Sequence, residues 1–75
     1  MRIKLFGVFA HLARASELTV EVETPRPVRE VLREVIPRYD EFPDKIIMVN
    51  EKPASGEALV NNEDEIKVLP VFSGG

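Results

Sequence analysis

The sequence has no cysteine, no tryptophan and one histidine among its 75 residues. Without cysteine there is no disulfide, no thiolate metal ligand and no cysteine nucleophile. A single imidazole argues against a histidine metal centre or a histidine-based catalytic triad. No apolar run approaches the roughly 20 residues of a membrane span. The opening Met1-Arg2-Ile3-Lys4-Leu5-Phe6-Gly7 lacks the long apolar stretch of a signal peptide. The expectation is a cytoplasmic protein with no membrane partner. Positive charge is also scarce: 10 Lys and Arg face 13 Asp and Glu, for a net charge of −3. That balance argues against a nucleic-acid partner held by phosphate contacts. No metal site is expected. Glu63, Asp64 and Glu65 read as a solvated turn, and His11 as a surface residue.

What remains is enough for one small domain over residues 1–75. Residues 2–9 read as a strand, with Ile3, Leu5, Gly7 and Phe9 on one face and Lys4, Phe6 and Val8 on the other. Residues 10–14 hold helix formers for about one turn. Residues 17–23 alternate Leu18, Val20 and Val22 with Thr19, Glu21 and Glu23, which predicts a half-buried strand. The segment Thr24-Pro25-Arg26-Pro27 marks a boundary; Thr24 is the best chemical cap for the helix that follows, but it would put Pro27 inside the first turn, so the sequence does not name the N-cap. Val28, Val31, Leu32, Val35 and Ile36 then form a helical stripe, closed by Pro37. Opposite charges at Arg26/Glu30 and Glu34/Arg38 lie on its wet side, where Arg29 and Arg33 show no distinguishing partner. Residues 39–45 read as a loop, 46–49 as a strand and 50–53 as a turn. Residues 54–60 read as irregular, 61–64 as a turn and 65–71 as a last strand. Pro70 weakens the pairing of that strand near its end.

Two strands, a helix and two more strands define an α+β chain in which one helix covers one face of a mixed sheet. A β-grasp roll fits this order, with the first and last strands parallel at the centre. The expected core is Ile3, Leu5, Phe9, Leu18, Val20, Val22, Val31, Leu32, Val35, Ile66 and Val68.

Two features carry chemistry. Half of the four glycines close the sequence as Gly74-Gly75. Residues 72–75 are expected to form a flexible tail of about 13 Å when extended. Without side chains, a Gly-Gly end enters a channel too narrow for other residues. Its carboxylate is ionised at neutral pH and a poor electrophile, so reaction at Gly75 requires prior activation, as in an acyl-adenylate. Ser73 has no base nearby in sequence and is not a nucleophile. The second feature is apolar. Strand parity puts Phe6, Val8, Leu69 and Val71 on the face away from the helix, a clustered patch that suits partner docking.

The strand order and the tail together resemble the ubiquitin-like sulfur carriers, and most closely the MoaD family of molybdopterin synthase small subunits. Arg2 to Leu12 looks like that family's opening strand and first turn. Val28-Arg29-Glu30-Val31-Leu32 resembles its helix start, and Met48-Val49-Asn50 its central strand. Asn62-Glu63-Asp64-Glu65-Ile66 is similar to its Gly-Asp-Glu-Val turn. Leu69-Pro70-Val71-Phe72-Ser73-Gly74-Gly75 resembles its tail, with Val71 in place of a second proline and Phe72 after it. That departure also admits ThiS-like thiazole sulfur carriers and archaeal ubiquitin-like modifiers. The resemblance implies a carrier without catalysis or bound cofactor of its own. A MoeB- or ThiF-like enzyme would adenylate Gly75 with Mg-ATP, and a sulfur donor would turn it into a thiocarboxylate. A MoaE-like large subunit would receive the tail, with Ser73 and Gly74 in its channel and Phe6, Val8, Leu69, Val71 and Phe72 at the docking surface. Two readings compete with it. The same activated Gly75 would serve a protein modifier joined to target lysines, and a plain β-grasp interaction module would make no use of Gly-Gly.

Overall fold

The computed structural model describes residues 1–71. Seven strands are present: β1 (Arg2–Leu5), β2 (Glu17–Thr19), β3 (Arg26–Pro27), β4 (Lys45–Val49), β5 (Lys52–Ala54), β6 (Leu59–Val60) and β7 (Glu65–Pro70). The helices are α1 (Val8–Ala13) and α2 (Val28–Val35), with a 3-10 turn at Tyr39–Glu41. Five strands form one mixed sheet in the order β2-β1-β7-β4-β5, and β3 and β6 form a separate two-stranded ladder. β1 and β7 run parallel, and every other pairing is antiparallel. This is the β-grasp arrangement expected from the strand order.

The centre of the sheet is its most apolar part. Ile3 and Leu5 of β1 lie opposite Ile66 and Val68 of β7, and Val68 in turn lies opposite Ile47 of β4. All five are buried, together with Val28, Val31 and Leu32 of α2. The helix therefore covers one face of the sheet and leaves the other to solvent. Its backbone start is fixed by Val28 and Arg29 donating to the carbonyls of Ala58 and Gly56, at 2.8 and 3.0 Å. The N-cap is Pro27, in extended conformation and with no side-chain cap, so Thr24 does not fill that role. The helix ends at Ile36, whose extended backbone accommodates Pro37.

Several expected boundaries shift for local reasons. The first strand stops at Leu5 because Gly7 takes φ +57°, which turns the chain into α1. Val8 and Phe9 are consequently helical. Phe9 still reaches the core, where its ring meets Phe42 edge-on at 5.8 Å. The second strand leaves the ladder after Thr19. Val20 and Val22 remain packed against the core as a coil, the latter held by Asn62, which accepts from the Val22 amide and donates to its carbonyl. Tyr39 is not in an irregular loop but in the 3-10 turn, buried against the core. Leu59–Val60 is a short strand rather than irregular, and the last strand ends at Pro70 rather than Val71. Met1, Val28, Ile36, Tyr39, Ile47 and Val60 join the buried core, while Leu18, Val20, Val22 and Val35 are only partly buried against it.

Candidate docking face and tail root

β7 lies between β1 and β4, so its outward side chains have neighbours on both sides. Since Ile66 and Val68 point inward, the pleat turns Glu65, Lys67 and Leu69 outward. On one side the ladder extends one bond beyond β1, with the Phe6 amide donating to the Val68 carbonyl at 3.1 Å. The Phe6 side chain then projects outward and is 41% exposed. On the other side Ile46 stands opposite Leu69 and is 43% exposed. Val71 follows Pro70 and is 51% exposed. Phe6, Ile46 and Leu69 thus share the open face at the end where β7 finishes, beside exposed Val71. Scattered exposed apolars are ordinary, but a group on one face at one end of a sheet has the make-up of a docking surface.

The other end of this face is charged and self-neutralised. Arg2 reaches Glu17 at 3.1 Å and Glu65 at 3.7 Å. Lys67 donates to Glu51 at 2.6 Å, which holds the Glu51 carboxyl below its usual range and raises the Lys67 ammonium. Lys67 is therefore committed within the chain rather than free to steer a partner. Glu51 takes φ +68° as the second residue of the two-residue turn between β4 and β5, a position that normally favours glycine. Asn50, at φ +51°, completes the turn and anchors it to β7 by accepting from the Glu65 amide at 2.9 Å.

Val8 is the expected patch member that the structure removes. It lies on α1 and packs against the core, not on the open sheet face. Ile46 is the member that parity along the first and last strands alone did not reach. Its signal was the short apolar run Ile46-Ile47-Met48-Val49, in which only one face could be inward. The tail residues Phe72, Ser73, Gly74 and Gly75 lie outside the described residues.

The root of the tail is tightly built. Pro70 ends the ladder opposite Lys45. A Cβ on Gly7 would come within 2.9 Å of Pro70 Cγ. The turn after β1 thus leaves no room for a side chain beside the last residue of β7.

Other polar candidates are locally satisfied. The Asp64 carboxylate accepts from the Asn50 side chain and the Asn61 amide, both at 2.8 Å. No group of three potential metal-ligating side chains gathers among the described residues. Arg29 and Arg33 do have partners, Glu57 and Asp40 respectively. Arg38 pairs with Glu41 and Glu34 with Arg26, replacing the expected Glu34/Arg38 pair.

A β-grasp domain with an exposed apolar face at the root of a Gly-Gly tail has the general form of the ubiquitin-like proteins. The ThiS family profile matches residues 3–75, and the chain belongs to that family. A search of curated protein sequences found no match. Among solved structures, the chain is similar to SAMP1 from Haloferax volcanii, with a TM-score of 0.81 at 22% identity, covering 100% of this chain and 98% of that one. It is also similar to a candidate molybdopterin converting factor, subunit 1, from Pyrococcus furiosus, with a TM-score of 0.69 at 24% identity over 93% and 95% of the two chains. At these identities the likenesses establish the shared fold.

Proposed function

We propose that this chain is a sulfur carrier of the MoaD type, the small subunit of a molybdopterin synthase. The observation that carries the reading is the placement of exposed Phe6 and Ile46 and half-buried Leu69 where β7 hands the chain to its Gly-Gly tail. Binding and chemistry are then divided. The sheet face supplies affinity through apolar anchors, and the tail carries the reacting carboxyl into a partner's site.

The chemistry belongs to the partners. In a MoeB- or ThiF-like enzyme with Mg-ATP, the Gly75 carboxylate attacks the α-phosphorus and pyrophosphate departs. A sulfur nucleophile then attacks the acyl carbon and AMP leaves, giving the thiocarboxylate. A MoaE-like subunit would accept the tail and pass sulfur to a pterin precursor. In this reading the chain itself contributes the carboxyl and the docking face, and the catalytic groups are the partners'. The family match and the Pyrococcus furiosus neighbour support the reading.

The likeness to SAMP1, a small archaeal modifier protein, favours a second reading in which activated Gly75 is joined to target lysines. The two diverge after the adenylate. With a MoeB-like enzyme, ATP and a sulfur source, intact-mass measurement should show a gain of about 16 Da at the C-terminus, the mass of an oxygen-to-sulfur exchange. A variant lacking Gly75 should gain nothing, and retention of the gain in that variant would overturn the mechanism. In source cells, conjugation would leave Val68–Gly75 as a tryptic remnant on target lysines, because trypsin cuts after Lys67. Finding that remnant, and no thiocarboxylate, would establish the modifier reading instead.

A further inference from the structure

On the helix side of the sheet, a cleft of about 390 Å³ opens between α2, the 3-10 turn and the segment after β5. Arg29, Arg33, Tyr39, Asp40, Lys45 and Glu57 are its charged and titratable residues. Its size is that of a small-ligand site. The sheet-face docking described above does not use it.

We propose that Lys45 in this cleft is an acyl-acceptor site, taking an activated carboxyl group from an acyl phosphate in preference to the chain's other lysines. Three geometric facts set Lys45 apart. Its Nζ lies 4.0 Å from the centre of the Tyr39 ring, so the amine rests on an apolar platform and is held in place. No carboxylate forms an ion pair with it among the described residues, whereas Lys67 is bound to Glu51 at 2.6 Å and Lys4 lies 3.9 Å from Glu65; Lys52 is also unpaired there but is exposed and lies outside the cleft. The nearest acid inside the cleft, Asp40, is already gripped through both oxygens by Arg33, at 3.0 and 3.1 Å.

The cleft's charges decide which acyl donor fits. Arg29 and Arg33 stand one helical turn apart on α2 and line the cleft with Lys45, facing Asp40 and Glu57. Both guanidiniums are paired within the chain, Arg29 with Glu57 and Arg33 with Asp40, so a donor whose leaving group is a phosphate exchanges these exposed pairs for its own charge, and the guanidiniums then stabilise that charge as it departs. The amine side is also prepared. Partial burial, aided by Arg33, lowers the Lys45 pKa against the opposing pull of Asp40 and Asp44. More of it is therefore in the nucleophilic neutral form. In the step, the Nζ lone pair attacks the acyl carbon and an N–C bond forms. The C–O bond to phosphate breaks with its electron pair on the phosphate oxygen, and the surplus ammonium proton passes to water. The product is an amide at Lys45 and a free phosphate.

An acyl-adenylate is one member of this class of donor. If the carrier reading holds, the activated Gly75 of a second copy presents the same mixed anhydride, and two copies would be joined through Lys45. That extension rests on the proposed function; reactivity toward a small donor does not.

The test uses acetyl phosphate as probe on the folded full chain near neutral pH, with peptide mapping of every lysine and of the Met1 amine. Lys45 should acetylate at least about threefold faster than Lys4, Lys52 or Lys67. The preference should vanish in chain unfolded by guanidinium. Lys45→Arg should remove the fast site, and Lys52→Arg should leave it. A ratio below about three in the folded chain overturns the proposal, and so does a preference that survives unfolding, since the cause would then be local sequence. Failure of this test leaves the carrier reading untouched, and failure of thiocarboxylate formation leaves this one untouched.

Discussion

Gly7 is the residue on which the geometry of the functional end turns. Its φ of +57° is open to glycine at little cost, and the space where a Cβ would sit is filled by Pro70. A side chain there meets both a backbone penalty and a contact. Gly7→Ala should therefore lose about 1–3 kcal/mol of stability, read as a lower urea midpoint with unchanged slope. The Pro70 ring is what a Cβ on Gly7 would displace, so part of the cost should appear as displacement of the tail root. Amide chemical shifts at Phe6 and Val71 would report it. A wild-type midpoint would mean that the turn after β1 is not under the constraint described.

At the scale of the elements, the open face of the sheet separates binding from folding. Phe6 and Ile46 are exposed on it and Leu69 is half-buried. Alanine at each should weaken binding of the activating enzyme by about 1–2 kcal/mol if they are central anchors. At Phe6 and Ile46 stability should shift by no more than about 0.5 kcal/mol. Leu59 supplies the control. It is 64% exposed but sits on β6, outside the five-stranded sheet. Leu59→Ala should leave affinity unchanged, as titration calorimetry would show. Equal losses at Leu59 and Phe6 would point to general stickiness rather than a site. The elements also show how far the chain could be read in advance. The helix stripe from Val28 to Ile36 and the alternation in β7 were legible because each has a clean period and one buried face. The end of β1 was not, because alternation runs on through Val8 and Phe9 while the backbone of Gly7 breaks it. Ladder β3–β6 was hidden for another reason: its two-residue strands are too short to show any period. Tyr39 gave no signal because its burial depends on the core it packs against rather than on its neighbours in the chain.

For the whole molecule, one core serves both the sheet and the helix, so unfolding should be a single cooperative event. Leu32→Ala removes a fully buried side chain from its middle and should cost about 2–5 kcal/mol. Gly74→Ala should leave the denaturation curve in place, because the buried cluster of the described residues runs from Met1 to Val68, yet cut sulfur transfer by well over about tenfold if the tail is threaded through a narrow channel. The pair of variants separates a defect in folding from a defect in delivery. Equal transfer rates for Gly74→Ala and wild type would remove the physical basis of threading.

The parallel pairing of β1 with β7 has a consequence for how the protein is made. The strand that divides the sheet comes last among the described elements, and Ile66 and Val68 complete the core from it. A ribosome delivers β1 early and its central partner only after every other element, so the sheet cannot close on a growing chain. A product cut short before β7 has two sheet fragments and a helix with nothing to span them. Such a product is open to proteolysis rather than available to compete for partners. Products truncated before β7 are thereby removed by the fold itself: a molecule with a closed sheet has already been synthesised through the strand that leads into Gly74-Gly75.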